Sequence, residues 1–467
     1  MKLDFLKPKT PPFYLKSGRF SKHYRINNLN RGAIAVGGAG SGKTYSYINP
    51  LLSYCVKHKG CITFDPKGEL TPLINGIAKQ NEKPIINFSL DNNFNTINVL
   101  SLCEDKSDII EFSSYFLSGI VGIPKNDAAK YFFNSAKSIL TGTILFLRKK
   151  HPKFCSIPHI IALFLTANPE QIIKLIFSDE EAKRSAQVLS SVSGDKKLLG
   201  SMMSTFTAFF ASLDVPRIFR NLLSDTDLPL PNDPNNPSII NLIFNLQKRD
   251  IYSPIYSSII GLILKKMNIP DQHESAVIID EFTVLSIPNF SNIPETARSN
   301  KIATCIAIQD FSQLVLKYGK EEASSIIANM GSQFLFRTTS PETLDHFQKT
   351  LGKREVEKTS ISEKQGGLSL DGPTHSYSSI ERDILRREKV INYKAGMCTA
   401  IIAEGNERLI EGKRLNGNHY LKKIKPIPIQ PQKNIDEQRA YEKVYSDINF
   451  LLKKSTTTPT LTKKFNL

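Results

Sequence analysis

The amino-acid sequence predicts an α/β fold in which a central, mostly parallel sheet carries an inserted all-helical domain. Short apolar runs alternate with helical patterns from residue 33 to residue 88, and again beyond residue 237. Such an alternation is typical of a parallel sheet that helices cover on both faces. Residues 107–224 show only helical spacing of their apolar side chains, which indicates an insertion within the α/β domain.

The first apolar run leads into a glycine loop and then into a lysine and a threonine. The pattern G-x-x-x-x-G-K-[ST] is complete across Gly37, Gly38, Ala39, Gly40, Ser41, Gly42, Lys43 and Thr44. Glycines let successive backbone N–H groups surround phosphates, and the helix that follows points its positive end at the same anion. Lys43 is expected to reach the β- and γ-phosphates, and Thr44 to bind Mg²⁺. The predicted cofactors are therefore ATP and Mg²⁺.

A second apolar run, at residues 276–279, ends in Asp280 and Glu281. A central strand at this position would deliver both carboxylates to its carboxyl end. Asp280 is expected to hold Mg²⁺, commonly through water, and Glu281 to polarise the water that attacks the nucleotide. The acidic pair indicates hydrolysis rather than phosphoryl transfer to a small substrate, as in ATP-driven motors.

Three further residues are candidates for contacts with the γ-phosphate. Gln309 ends the apolar strand "IATCIAIQ", where its amide can hydrogen-bond the phosphate or the attacking water. Arg298 precedes that strand and is predicted to reach across a subunit boundary as an arginine finger. Arg337, at the end of "QFLFR", is the alternative candidate for that role.

Composition narrows the class of protein further. The six cysteines include no CxxC pair and the eight histidines show no ligand spacing, so a Cys or His metal site is not expected. No apolar run approaches the roughly 20 residues of a membrane-spanning helix, and the N-terminus lacks a signal-peptide pattern. The prediction is therefore a cytoplasmic protein.

Charge is concentrated at the two ends of the 467-residue chain, whose formal net charge is +17. Residues 1–32 hold eight Lys and Arg residues against one acid, and residues 413–467 hold twelve against four. Basic ends of this kind can contact nucleic acid or an anionic membrane surface, although a solvated tail is an equally ordinary explanation.

Several motifs taken together resemble one family. In chain order, "GGAGSGKT" with "INPLL", "ITFDPKGEL", "VIIDEF", "IAIQDFSQL" and "IIANMGSQFLF" are similar to the type IV coupling proteins of conjugation, the TraG/TraD-like family. The resemblance covers roughly residues 31–404. It implies a RecA-like P-loop NTPase domain with an inserted all-helical domain, working as a homo-hexamer. Asp65, Lys67 and Glu69 match the D-x-K-G-E turn of the family, and no chemical role for them follows from the residues.

The resemblance also implies a function. A single DNA strand with bound relaxase would be recruited and pumped into a type IV secretion channel by ATP hydrolysis. Most members begin with transmembrane helices, whereas here only about 30 residues, with a net positive charge, precede the first predicted strand. We therefore predict a form without that anchor, cytoplasmic or peripheral at the inner membrane, which a membrane-anchored partner protein would assist.

Two other functions are compatible with the same residues. One is a soluble FtsK/HerA-like DNA-pumping ATPase that is not tied to secretion, and the other is a relaxosome-binding adaptor that uses nucleotide only to assemble. In each case the predicted organisation is the same. It comprises a basic segment at 1–30, a nucleotide-binding domain in two parts at 31–106 and 225–412, the helical insertion at 107–224, and a basic tail at 413–467.

Overall fold

The computed structural model describes residues 11–17, 22–189, 196–224, 228–362, 374–433 and 435–457. Within these residues eleven strands form one sheet and two form a separate hairpin. The sheet strands are β1 (Phe13–Ser17), β2 (Lys22–Ile26), β3 (Ala33–Val36), β4 (Gly60–Asp65), β5 (Ile85–Ser89), β6 (Ile239–Ile243), β7 (Ser275–Ile279), β8 (Ile302–Ile308), β9 (Ser332–Leu335), β12 (Met397–Ile401) and β13 (Leu409–Asn416). The hairpin strands are β10 (Lys353–Ser362) and β11 (Thr374–Asp383).

The strand order in the sheet is β2-β1-β13-β12-β9-β3-β8-β7-β4-β6-β5. The seven strands from β9 to β5 run parallel, and β12, β13, β1 and β2 extend the sheet in antiparallel fashion. Strands β3, β4 and β7 are buried along their whole length, as expected for parallel strands covered on both faces. The predicted α/β class with a mostly parallel sheet is confirmed.

The α-helices are distributed between the strands and a block between β5 and β6. Their bounds are α1 (Asn49–His58), α2 (Thr71–Gln80), α3 (Lys106–Val121), α4 (Asp127–Lys150), α5 (Ile157–Thr166), α6 (Pro169–Phe177), α7 (Glu180–Ser185), α8 (Lys196–Ala211), α9 (Pro216–Asn221), α10 (Arg249–Met267), α11 (Asn292–Ala297), α12 (Phe311–Tyr318), α13 (Lys320–Asn329), α14 (Pro341–Leu351), α15 (Arg387–Ile391), α16 (Asn418–Leu421) and α17 (Glu437–Thr457). Among the described residues, none of these helices is long and apolar enough to cross a membrane.

The helical insertion comprises α3 to α9 and shares one apolar core with the sheet. Its helices begin at polar caps, such as Asn126 before α4 and Asn168 before α6, because side-chain oxygens there accept the free N–H groups of the first turn. Helix α3 packs along α10 of the nucleotide-binding domain, and Asp108 bonds to Lys266 at 2.7 Å across that contact. The insertion is therefore docked on the sheet domain.

The two basic ends differ from the predicted boundaries, because each contributes structure to the domains. Residues assigned to the N-terminal segment form β1 and β2, and β13 extends to Asn416. In β1, Phe13 and Leu15 are fully buried. Net charge conceals this alternation of apolar and polar residues, which is typical of a strand with one buried face. The sequence "STTTPTLTKKFNL" at 455–467 also predicts a disordered tail, most of which lies outside the described residues.

The C-terminal residues also connect the two domains. Residues 422–433 cross α2, where Ile427 N–H donates to Pro72 O at 2.8 Å and a Cβ on Gly76 would lie 2.3 Å from Lys425 O. Helix α17 then packs against α5 and α9 of the insertion. Its Tyr445 hydroxyl donates to Asp214 at 2.8 Å. The described part of the segment predicted as a basic tail is thus packed against both domains.

Candidate nucleotide site

The predicted phosphate loop follows β3, and its first residues are hydrogen-bonded to the ends of the two neighbouring strands. Gly37 N–H donates to Ile308 O at the end of β8, at 3.2 Å, and Gly38 N–H donates to Arg337 O just after β9, at 2.9 Å. The loop therefore starts from the carboxyl edge of the parallel strands, where open α/β sheets bind their ligands.

Two glycines of the loop have conformations that a side chain would oppose. Gly40 has φ = 67° and Gly42 has φ = 88°, both in the left-handed region. A Cβ on Gly42 would also lie 2.4 Å from the backbone nitrogen of Gly396, which itself donates to Ser41 O at 2.9 Å. The turn before β12 therefore packs directly against the loop, and only glycine fits at position 42.

Lys43 is buried in the loop, and its Nζ donates to Gly37 O. Burial lowers the pKa of Lys43, and the nearby carboxylates of Asp280 and Glu281 oppose that shift. The hydroxyl of Ser41 is buried as well and has no hydrogen-bond partner among the described residues. A buried cation and an unpartnered donor inside one loop fit the oxygens of a phosphate group.

Asp280 follows β7 and faces the start of the helix after the loop. Its Oδ2 accepts a hydrogen bond from Thr44 Oγ1 at 3.4 Å. Burial raises the pKa of Asp280 to about 6, although the charge of Lys43 acts in the opposite direction. One carboxylate and one hydroxyl at the same point are the oxygen ligands that Mg²⁺ uses beside nucleotide phosphates. These two residues therefore fit the predicted metal.

Glu281 is held by both of its carboxylate oxygens. Gln309 Nε2 donates to Oε2 at 3.2 Å, and Thr283 Oγ1 donates to Oε1 at 3.3 Å. The backbone of Glu281 is left-handed, with φ = 64° and ψ = 57°, a strained conformation for a residue other than glycine. The turn after β7 thus places the Glu281 carboxylate next to Gln309, which follows the neighbouring strand β8.

A cavity of about 1250 Å³ opens beside the loop. Its walls include Lys43, Thr44, Asp280, Glu281 and Gln309, so the structure brings these five predicted residues together. Another part of the wall comes from the end of α3 and the turn before α4 in the helical insertion, and from α12. Sequence reasoning missed this wall, because an ordinary inter-helix turn carries no local signal of what it will face.

The D-x-K-G-E turn has a structural explanation. Asp65 is buried at the end of β4, and its Oδ2 accepts hydrogen bonds from Leu70 N–H at 3.0 Å and from both the N–H and the hydroxyl of Thr71 at 2.8 Å. Asp65 therefore holds the start of α2. Lys67 and Glu69 are exposed and line the cavity.

The two candidate arginines lie in different places. The Arg298 side chain follows α11, is 51% exposed, and has Glu404 at 3.9 Å as its ion-pair partner. It does not line the cavity of its own chain. Arg337 is also exposed, but its Nη2 lies 4.0 Å from the point where a Cβ on Gly40 would be. Arg337 is therefore next to the phosphate loop within one chain, whereas Arg298 is not.

Taken together, the loop, the acidic pair and the sheet define a P-loop nucleotide-binding protein with an inserted helical domain. A family model described as type IV secretory system conjugative DNA transfer matches residues 5–420. The chain belongs to this family. The predicted family and the predicted class of function, conjugative DNA transfer, are therefore confirmed.

Solved structures show the same fold. The bacterial conjugative coupling protein TrwBdeltaN70 is similar with a TM-score of 0.65 and 14% identity, over 88% of this chain and 89% of that one. The plasmid coupling protein TrwB in complex with ADP and Mg²⁺ matches with a TM-score of 0.64 and 14% identity, over 93% and 99%. VirB4 of Thermoanaerobacter pseudethanolicus matches with a TM-score of 0.53 and 12% identity, over 89% and 99%. No curated protein sequence matches the chain.

Proposed function

We propose that the protein hydrolyses ATP with Mg²⁺ and uses the energy to move a single DNA strand toward a type IV secretion channel. The strand would carry its relaxase, and the working form would be a homo-hexamer near the cytoplasmic face of the inner membrane. The observation that carries the ATPase proposal is Glu281, a carboxylate held by Gln309 and Thr283 beside a complete phosphate loop. Membership of the conjugative DNA transfer family supports the choice of DNA and channel.

The chemistry assigned to each residue follows from its position. The backbone N–H groups of the loop and the Lys43 ammonium bind the β- and γ-phosphates, where they stabilise the charge that develops during phosphoryl transfer. Glu281 accepts a hydrogen bond from the attacking water and orients it, while Gln309 holds the carboxylate in place. Mg²⁺, held by Thr44 and Asp280, would neutralise charge on the phosphate oxygens.

The test of this function is ATP hydrolysis by the purified chain, measured with and without single-stranded DNA. A motor that moves DNA is expected to hydrolyse ATP several-fold faster when the strand is present. A rate that DNA leaves unchanged would argue against translocation, and no hydrolysis in either condition would favour the adaptor function. In cells, relaxase-dependent DNA transfer measured with and without the gene for this protein would then separate a coupling protein from a soluble pump.

The two arginines are expected to act on opposite sides of a subunit boundary. Arg298→Ala and Arg337→Ala should each lower ATP hydrolysis, by up to about a thousandfold for an arginine finger. Mixing each variant with Lys43→Ala chains shows which arginine acts on the site of a neighbouring subunit and which acts on the site of its own chain. Lys43→Ala subunits still carry Arg298, so they should restore part of the activity of Arg298→Ala neighbours.

The same mixing should not rescue Arg337→Ala, because its own phosphate loop would still lack the adjacent guanidinium. The measurement is the hydrolysis rate at several mixing ratios, with Lys43→Ala chains alone as the background. If the mixture with Arg337→Ala recovers activity and that with Arg298→Ala does not, the two assignments are exchanged.

A further inference from the structure

The antiparallel edge of the sheet presents aromatic and basic side chains on one face. Strands β1 and β2 pair so that Tyr14 lies opposite Arg25, and Lys16 lies opposite His23. The alternate residues of both strands are buried, so these four side chains project from the other face of the sheet. Together with His419 of α16 they form a surface that we call the basic–aromatic face.

Three rings of this face are stacked. The Tyr14 and His419 ring centroids are 4.4 Å apart with an interplanar angle of 15°, and those of Tyr14 and His23 are 5.0 Å apart at 29°. His23 is exposed at the outer end of the stack, on the edge strand of the sheet. A further flat ring can therefore continue the stack from His23, in the way that nucleic-acid bases stack on aromatic side chains.

Positive charge accompanies the rings without neutralising partners. Lys16 Nζ lies 5.9 Å from the centroid of the Tyr14 ring, and Arg25 is exposed. Within the described residues, neither forms an ion pair, in contrast to Lys22, which bonds to Glu407 at 2.8 Å. Burial, followed by the charges of Lys16 and His23, lowers the pKa of His419 to about 4. The positive potential here can attract phosphates.

Two other ligands fit this face less well. A peptide strand could add to the edge of β2, but Asn406 covers it, accepting from Arg25 N–H at 2.6 Å and donating to His23 O at 2.8 Å. A lipid bilayer surface normally receives large apolar side chains. Among the described residues, the exposed large apolar side chains all lie elsewhere, and none belongs to β1, β2 or α16.

We propose that the basic–aromatic face binds single-stranded DNA, with bases stacking on the His23–Tyr14–His419 rings and phosphates contacting Lys16 and Arg25. The proposal rests on the proposed function, because it names where the transported strand meets the chain. It requires single-stranded DNA, since the bases of a duplex are already stacked on one another and cannot lie on the rings.

The experiment is a titration of labelled oligothymidylate with the full-length chain, followed by fluorescence anisotropy at several salt concentrations. The double variant Lys16→Glu with Arg25→Glu should bind at least about tenfold more weakly, and the slope of log affinity against log salt should fall by about 1.4. Tyr14→Ala should weaken binding about tenfold without changing that slope, because stacking releases no counterions. His23→Ala repeats the stacking test at an exposed ring.

The matched control is Lys174→Glu with Lys349→Glu, which makes the same change of charge at exposed helix positions elsewhere and should bind within twofold of the wild type. Melting temperatures close to the wild type show that each variant is folded. If the wild type binds DNA and the Lys16→Glu, Arg25→Glu variant binds it as tightly as the control variant does, the assignment of DNA to this face is wrong while the proposed function stands. If the wild type binds no DNA, the proposed function fails together with the site.

A parallel titration with phosphatidylglycerol vesicles tests whether the basic–aromatic face binds an anionic membrane surface instead of DNA. Loss of vesicle binding in the Lys16→Glu, Arg25→Glu variant, with DNA binding unchanged, would overturn the assignment to DNA. Loss of DNA binding in that variant, with vesicle binding unchanged, is the result that the proposal expects.

Discussion

Lys43→Ala is expected to reduce ATP hydrolysis about a thousandfold or more. The Lys43 ammonium is buried in the phosphate loop and is placed there by its hydrogen bond to Gly37 O. It is the one basic side chain in the loop sequence 37–44, so no other loop residue can replace it. The variant should also bind ATP more weakly, since part of the charge that attracts the phosphates is lost. Steady-state hydrolysis by the purified protein and a nucleotide-binding titration measure the two effects.

The control for this variant is Lys57→Ala, which removes an exposed lysine from α1, the helix that continues from the same loop. Its hydrolysis rate should remain within about twofold of the wild type, because surface substitutions away from a site have small effects. Hydrolysis by Lys43→Ala at more than a tenth of the wild-type rate would mean that the loop is not the catalytic nucleotide site.

Glu281→Gln is expected to lower hydrolysis by about a thousandfold while ATP binding is retained. The amide has nearly the same shape as the carboxylate and can still accept the hydrogen bond from Gln309, but it is too weak a base to polarise water. ATP should therefore stay bound without being cleaved. The measurement is the amount of unhydrolysed ATP that remains with the protein after rapid gel filtration, together with DNA transfer by cells that carry the variant.

Glu69→Gln is the matched control, since it changes an exposed carboxylate that lines the same cavity but lies in the turn before α2. It should hydrolyse ATP at close to the wild-type rate.

The DNA transfer measured in cells that carry Glu281→Gln separates two functions. A motor needs repeated hydrolysis, so Glu281→Gln should abolish transfer, whereas an adaptor that only assembles on ATP would still support it.

Much of the candidate site could be predicted from the sequence because its residues lie at the ends of strands. The phosphate loop is contiguous, and its glycines, Lys43 and Thr44 form one motif. The Asp280–Glu281 pair and Gln309 are distant from the loop in the chain, yet both follow apolar runs. Parallel strands bring their carboxyl ends to one edge of a sheet. The structure places these residues around one cavity for that reason.

The helical insertion could also be predicted, because helical periodicity is a local property that persists over more than 100 residues. The position of the insertion beside the nucleotide site could not be predicted. The end of α3 and the turn after it reach the cavity because α3 packs along α10, a contact between segments that are more than 120 residues apart in the chain. Such long-range packing depends on the shapes of both surfaces, which no local pattern reports.

Three results depended on the tertiary structure. Asp65 caps α2, Arg337 lies beside Gly40, and the basic ends join the sheet and the insertion. In each case, the sequence specifies the type of side chain, and the three-dimensional neighbours decide what that side chain does. A buried carboxylate must find donors and an edge strand must find a partner, but which donors and which partner are available is set by the packing of segments that are remote in the chain.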